Sequence, residues 1–166
     1  KGKVYKAIIP QTAYFGDHVE LSDGGSDFAS SFGIGAVLGT KFTWPKDNPT
    51  VQPPGFLLTP EKEKVWKKWF ALYNEMMLSK EPYLGGLYDV GYDVPEAHVI
   101  QKGGRLYYAF YAKDFSGKIE LRGLQNGKRY QLRDYFNDRK MGEARKENSV
   151  LEVAFKGFLL LEAEAE

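Results

Sequence analysis

Four acidic side chains that could do chemistry lie close together near the start of the chain. They flank a glycine pair and are Asp17, Glu20, Asp23 and Asp27. Paired carboxylates can act as general acid and base, and groups of carboxylates can hold a metal ion. The same residues also form turns and cap helices, which is the favoured interpretation of Asp23 and Asp27. Asp17 follows an apolar pair and a glycine, where barrel enzymes place catalytic groups at strand ends, so both interpretations stay open for it.

Other chemistries find less support in the sequence. The acidic residues lack the spacing of a calcium-binding EF-hand loop, so no metal site is expected. A Ser-His-Asp triad would need His18 or His98 as its base, but no G-x-S-x-G motif is present, and His98 is expected to be a satisfied strand residue. No phosphate-binding loop or dinucleotide fingerprint occurs, so no cofactor is expected. The chain has no cysteine, which excludes thiolate nucleophiles and zinc-thiolate sites.

Composition narrows the class of protein and its partners. The 166 residues are 43% hydrophobic and 15% aromatic, which is typical of a globular protein with a sizeable core. A formal net charge of +1 offers no general attraction to nucleic acid or to an anionic membrane. No apolar run reaches the ~20 residues that span a bilayer. The lack of cysteine and of a signal-type apolar segment favours the cytoplasm.

The first part of the chain has the pattern of a strand-helix-strand unit. Apolar residues at positions 4–9 predict a short strand, residues 26–32 predict two helical turns, and residues 36–44 predict a buried strand. The next element is a helix over residues 59–81, with Thr59 as its cap and Pro60 in the first turn. Its aromatic stripe is expected to be core packing. Two parallel-type strands cannot close a sheet, so further strands are expected upstream.

From residue 83 onwards the hydrophobic pattern changes to a period of two. Strands are predicted at residues 105–112, 118–122, 129–135, 150–155 and 158–161, with Asn126-Gly127 as a hairpin turn between the second and third. We expect residues 105–112 to be central, residues 158–161 to close the sheet, and residues 162–166 to form a solvated terminus. The fold class is therefore α/β followed by all-β, with an antiparallel sandwich over residues 83–166 that is stable by itself.

The run "FGDHVELSDGGSDFASSFGIGAVLGTKFTWP" resembles the late barrel segment of alpha-galactosidases and their relatives, glycoside hydrolase families 27, 31 and 36, and most of all family 36. The stretches "YDVPEAHVIQKGGRLYYAFYA", "IELRGLQNGKRYQLRDYFN" and "FLLLEAE" resemble their C-terminal β-sandwich. The resemblance implies that residues 1–82 are the last strands and helices of a (β/α)8 catalytic barrel, including the 59–81 helix. Residues 83–166 would be the C-terminal sandwich.

The resemblance also implies a chemistry. A strand ending in Gly-Asp delivers the general acid/base of a retaining glycosidase in these relatives, and Gly16-Asp17 takes that place here. The nucleophile would come from an earlier barrel strand, so this chain by itself is expected to be inactive. Lys41 and Trp44, at the end of the next strand, are candidate substrate-binding residues. The alternatives are that Lys41 is solvated and that Trp44 packs under the sandwich.

Three functions follow from these observations. The first is the C-terminal portion of an alpha-glycosidase that hydrolyses terminal alpha-linked sugars. The second is a carbohydrate-binding module whose tyrosines stack on sugar rings, and the third is a non-catalytic scaffold. The expected partners are a carbohydrate and either a second copy of the chain or the missing barrel portion, because a partial barrel exposes strand edges.

Overall fold

The computed structural model of the chain describes residues 2–15, 19–20, 27–41 and 58–166. Within these residues the helices are α1 (Gly2–Ile8), α2 (Asp27–Phe32) and α3 (Pro60–Met76), followed by a 3₁₀ turn at Leu78–Lys80. The strands are β1 (Val19–Glu20), β2 (Thr40–Lys41), β3 (Glu96–Lys102), β4 (Arg105–Glu120), β5 (Arg129–Asp134), β6 (Arg139–Arg145) and β7 (Val150–Ala165).

A five-stranded antiparallel sheet dominates the structure, with the strand order β3-β4-β7-β5-β6. Both of its faces are buried, and residues alternate between them along β4. Leu106, Tyr108 and Phe110 enter one core, whereas Tyr107 and Ala109 enter the other. This alternation follows from the period of two in a strand, and it confirms the predicted strand over residues 105–112.

The first core lies entirely within residues 83–166. It includes Tyr88 from the loop before β3, Phe110 and Leu161 from the middle of the sheet, and Ile119 and Val153 from the far halves of β4 and β7. A bulge between Ala112 and Asp114 shifts the register where those far halves begin. The predicted domain boundary at residues 82 and 83 agrees with this core but not with the second one, which crosses it, so the boundary stays a prediction.

The second core joins the other sheet face to α2 and α3. Trp69 of α3 is fully buried, and its ring stacks on Phe136 at 4.5 Å between centroids and contacts Phe158 at 5.6 Å. Thr59 caps α3 by accepting a hydrogen bond from the Lys62 amide, and Met77 ends the helix in the left-handed conformation. The predicted helix is confirmed, although it ends at Met76 and not at residue 81. The predicted packing of its stripe in the core is confirmed for the aromatic residues, whereas Val65 is exposed.

β1 and β2 form a parallel pair with α2 between them. Val19 pairs with Thr40 and Glu20 with Lys41, and an isolated parallel bridge joins Tyr14 to Ala36. A strand-helix-strand arrangement is therefore present, with the helix and the second strand within the predicted ranges. Its first strand, however, is β1 at residues 19–20 and not the predicted strand at residues 4–9. A complete barrel is not shown in this chain.

The first predicted strand is wrong, because residues 2–8 form helix α1. The apolar residues Val4, Tyr5, Ile8 and Ile9 recur with the i, i+4 spacing of a helix, and a run of six residues is too short for this period to be told from a strand. All four are exposed, at 56%, 55%, 73% and 48%, while Lys6 is fully buried. The helix therefore presents its apolar side to solvent.

The predicted hairpin at Asn126-Gly127 is also wrong. A turn does form there, with Gly127 at a φ of 74°, but residues 118–120 pair with residues 150–152 of β7 rather than with β5. Leu124, between the two predicted strands, is buried in the first core, so this segment cannot be a short solvent-exposed hairpin loop.

The two predicted strands at residues 150–155 and 158–161 are one continuous strand, β7, that turns through Gly157 at a φ of 76°. β7 is the central strand of the sheet, so residues 158–161 do not close it. The predicted solvated terminus is wrong for Glu162 and Ala163, which are buried. Residues 162–164 pair with both β4 and β5, and Ala165 pairs with β5.

Candidate functional site

The predicted catalytic group, Asp17, comes two residues before β1 in the sequence. Glu20 and Lys41 are register partners at the carboxyl ends of β1 and β2. Asp17 lies between Tyr14 and Val19, and both of these flanking residues pair with the segment 36–41. Asp17 and Trp44 are outside the described residues, as is the side chain of Lys41. Their roles in catalysis and in substrate binding therefore stay predictions.

Asp27 is the first residue of α2 and is exposed. A carboxylate in the first turn of a helix is stabilised by the helix dipole, so its position agrees with the capping interpretation. Asp23, for which the sequence favours the same interpretation, lies outside the described residues.

His98 occupies a buried hydrogen-bonded chain that connects α1 to the sheet. The Tyr83 hydroxyl lies 2.6 Å from His98 Nδ1, His98 Nε2 lies 2.8 Å from Glu96 Oε1, and Lys3 Nζ donates to Glu96 Oε2 at 2.6 Å. Because the carboxylate only accepts, His98 carries its proton on Nε2 and accepts from Tyr83 at Nδ1. Both ring nitrogens are therefore occupied, which leaves His98 no nitrogen for a serine hydroxyl. The prediction of a satisfied strand histidine is confirmed.

The surroundings of this chain shift its pKa values. Burial lowers the pKa of His98 below its ordinary value, although the hydrogen bond to Glu96 acts in the opposite direction. Burial raises the pKa of Tyr83 to about 12, with the Glu96 charge adding to the effect. For Glu96, burial acts to raise the pKa, but the hydrogen bonds from Lys3 and His98 outweigh it and the pKa is lowered. The chain thus joins a neutral imidazole to an ionised carboxylate.

A second polar group, which sequence reasoning missed, surrounds Glu162 on the sheet face next to α3. Glu162 is 6% exposed, and Tyr107 donates to its Oε1 at 3.0 Å. Arg105 Nη1 lies 3.4 Å from Oε1 and Arg133 Nη1 lies 3.8 Å from Oε2. Burial raises the pKa of Tyr107 to about 12, even though the hydrogen bond with Arg105 acts to lower it. The alternating Glu and Ala at residues 162–166 is a strand pattern, and this was the signal that could have revealed Glu162.

The tyrosines give little support to a face that stacks on sugars. Six of them are buried in the cores and are thus not available as open platforms: Tyr83, Tyr88, Tyr107, Tyr108, Tyr130 and Tyr135. Among the described residues, no group of three or more His, Asp and Glu side chains is arranged to hold a metal ion. No helix in that part of the chain is both long and apolar enough to cross a bilayer.

Comparison with known proteins gives these features a context. The chain is 32% identical over 173 aligned residues to the A type blood alpha-D-galactosamine galactosaminidase of Flavonifractor plautii, an alignment that covers 97% of this chain. This chain resembles the alpha-galactosidase-like glycoside hydrolases. It spans 14% of the length of that relative, so it corresponds to only a segment of such an enzyme. No family model matches the chain.

Solved structures with the same fold include enzymes of this class. A structure from Bacillus halodurans, provisionally assigned as an alpha-N-acetylgalactosaminidase, matches with a TM-score of 0.56 at 11% identity, over 85% of this chain and 30% of the other. A family 27 β-L-arabinopyranosidase from Geobacillus stearothermophilus matches with a TM-score of 0.51 at 11% identity, over 84% of this chain and 29% of the other. An Anoxybacillus alpha-amylase also matches with a TM-score of 0.51 at 9% identity, over 86% of this chain and 32% of the other. The fold is thus shared by glycoside hydrolases with different substrates, and family 36 is not singled out.

Proposed function

We propose that this chain is the C-terminal part of a retaining alpha-glycosidase that removes terminal alpha-linked sugars of the galactose or galactosamine type. The observation that carries the proposal is the 32% identity to a galactosaminidase along 97% of the chain. The parallel β1–α2–β2 unit supports it, because such units build the barrel in which these enzymes carry their catalytic groups. The antiparallel sheet is the supporting C-terminal domain.

Asp17 is the proposed general acid/base of this enzyme. In a retaining mechanism one carboxylate attacks the anomeric carbon and a second carboxyl protonates the leaving oxygen, with the two groups ~5–5.5 Å apart. The nucleophile comes from a preceding part of the enzyme, and Lys41, which ends β2, and Trp44, which follows it in the sequence, bind substrate. Once the leaving group has departed, Asp17 removes a proton from the water that releases the sugar.

Replacing Asp17 by alanine in the whole enzyme that contains this segment tests the assignment. Asp17→Ala should lower kcat/KM by on the order of 10²–10⁴-fold for substrates with poor leaving groups, which need the proton, and much less for activated aryl glycosides. Azide should restore turnover, because a small anion needs no general base, and should give a glycosyl azide of retained configuration. Leaving-group dependence and product stereochemistry are the measurements.

The neighbouring carboxylates serve as matched controls. Glu20→Ala, Asp23→Ala and Asp27→Ala should change stability or affinity without any dependence on the leaving group. Glu20 is the most stringent of these, since it ends β1 directly opposite Lys41. If Asp17→Ala slows all substrates equally, or if one of the three controls shows the azide rescue, the acid/base is not Asp17.

A further inference from the structure

A small cavity lies where the C-terminal end of α3 meets the sheet, next to the group around Glu162. Its volume is about 210 Å³, and Leu72 and Met76 of α3 form its apolar side. The polar side is formed by Glu75 of α3, by Tyr135, and by residues of β3, β4, β5 and β7, which are Lys102, Arg105, Tyr107, Arg133 and Glu162. Four strands thus direct polar side chains into one recess beside a small apolar wall, so the lining is mostly polar.

The carboxylate of Glu162 retains hydrogen-bonding capacity toward this recess. Its Oε1 accepts from Tyr107, but the nearest guanidinium nitrogen to Oε2 is Arg133 Nη1 at 3.8 Å, beyond hydrogen-bonding distance. Arg105 Nη1, at 3.4 Å from Oε1, is similarly distant. Across the described residues, no buried side-chain nitrogen or oxygen lacks a partner, which agrees with Oε2 being open to the recess.

The charges of the lining indicate which chemical class fits. The three cations Lys102, Arg105 and Arg133 disfavour a metal ion or other small cation, and the carboxylates of Glu75 and Glu162 disfavour an anion. A neutral polyhydroxylated ligand needs acceptors and donors together. Sugar hydroxyls can donate to Glu162 Oε2 while their oxygens accept from the two guanidinium groups, and charged partners make such hydrogen bonds strong.

We infer that this recess is an accessory binding site for a single neutral sugar unit, separate from the catalytic carboxylate proposed at Asp17. The choice of a sugar rests in part on the proposed glycosidase function. The site would hold a carbohydrate chain by a unit that is not being cleaved. Sugar binding at the recess is measured without hydrolysis. The proposal of an accessory site can therefore be wrong while the catalytic assignment of Asp17 is right, and the catalytic assignment can be wrong while the accessory site is right.

The test is a titration of the 166-residue chain with galactose, N-acetylgalactosamine and glucose, followed by amide chemical shifts in NMR. We expect saturable shifts centred on Tyr107, Arg133 and Glu162 for at least one of the three sugars. Arg133→Ala should weaken that affinity about tenfold, the effect of losing one charge-assisted hydrogen bond. The matched control is Arg129→Ala on the same strand, because Arg129 is similarly exposed and ion-paired but does not line the recess.

Glu162→Gln separates a sugar from an anion. The amide keeps the shape and removes the charge, so sugar affinity should fall, whereas affinity for inorganic phosphate, the anion probe, should rise. Thermal unfolding of each variant checks that it folds, and if Glu162→Gln does not, sugar and phosphate are compared on the unsubstituted chain. Absence of saturable shifts with all three sugars overturns the proposal. So does equal weakening by Arg129→Ala and Arg133→Ala, or saturation by phosphate but not by sugar.

Discussion

At the scale of single residues, His98 links the stability of the protein to pH. Because burial lowers its pKa in the folded state, the unfolded chain binds a proton more readily than the folded one below the ordinary value of 6.5. The stability due to neutral His98 is therefore fully present above about pH 6.5 and declines as the pH falls toward the lowered value. Glu96, whose pKa is also lowered, contributes stability that is lost only at more acidic pH.

We expect the free energy of unfolding of the chain to fall by on the order of 1 kcal/mol between pH 7.5 and 5.5. Urea unfolding at both pH values measures this change. His98→Gln should be less stable at pH 7.5 but should lose most of the difference between the two pH values. His18→Gln, which removes the other histidine, is the comparison and measures how much of the difference comes from His18. An unchanged pH dependence in His98→Gln would rule out His98 as its source.

At the scale of elements, the contact between α2 and β4 depends on Gly33, the residue after the helix. A β-carbon at this position would lie 2.0 Å from the Tyr111 hydroxyl oxygen and 2.4 Å from the β-carbon of Ala109. The Tyr111 hydroxyl donates to the Ala29 carbonyl of α2 at 2.6 Å, so it cannot move away without losing that hydrogen bond. Only glycine allows the helix to approach the sheet this closely.

Gly33→Ala should therefore destabilise the chain by about 1–3 kcal/mol, the usual cost of overpacking a well-packed core. The shift of the urea midpoint at constant m-value measures it. Gly86→Ala is the matched control, because nothing lies within 4 Å of a β-carbon there. Equal stability of the two variants would show that α2 does not sit against β4 in solution.

At the scale of the whole molecule, α1 differs from an ordinary surface helix, which buries its apolar side and exposes its charged side. Val4, Tyr5 and Ile8 face solvent, whereas Lys6 is fully buried and donates to the Thr12 carbonyl at 3.2 Å. Contiguous exposed apolar side chains usually mark a surface that another protein segment covers. We expect the remainder of the proposed barrel to cover this face of α1 in the whole enzyme.

The isolated chain should accordingly self-associate at micromolar concentration, as sedimentation equilibrium would measure. Val4→Lys combined with Ile8→Lys should reduce the association, because both charges enter the exposed apolar face of α1. Val150→Lys is the control, since Val150 is an equally exposed apolar residue on β7. A wild-type chain that remains monomeric would contradict this role of the face, as would equal effects of the two sets of substitutions.

Elements with local signals could be predicted from the sequence. Helix α3 is defined by the cap at Thr59 and the proline after it, and its buried side by the spacing of Trp66, Trp69 and Tyr73. These signals are local, because helix hydrogen bonds and side-chain periodicity involve residues three or four apart. The strand at residues 105–112 was predictable because alternate residues of a strand face opposite sides. Of the unit around α2, the helix and the second strand were predictable, whereas the first strand was expected at residues 4–9 and lies at residues 19–20. The catalytic interpretation of Asp17, Lys41 and Trp44 depended on resemblance to a family, since spacing did not separate it from a capped turn.

Three features were decided only by the tertiary structure. β4 pairs with β7 instead of with its sequence neighbour β5, because strand pairing is chosen by non-local burial and the Asn126-Gly127 turn determines only local geometry. Helix α1 buries a lysine and exposes its apolar residues, because the choice of buried side depends on what lies beside the helix. Glu162 has the sequence pattern of a solvated tail, yet a central strand buries it, where Tyr107 and two arginines supply the partners that make its charge tolerable.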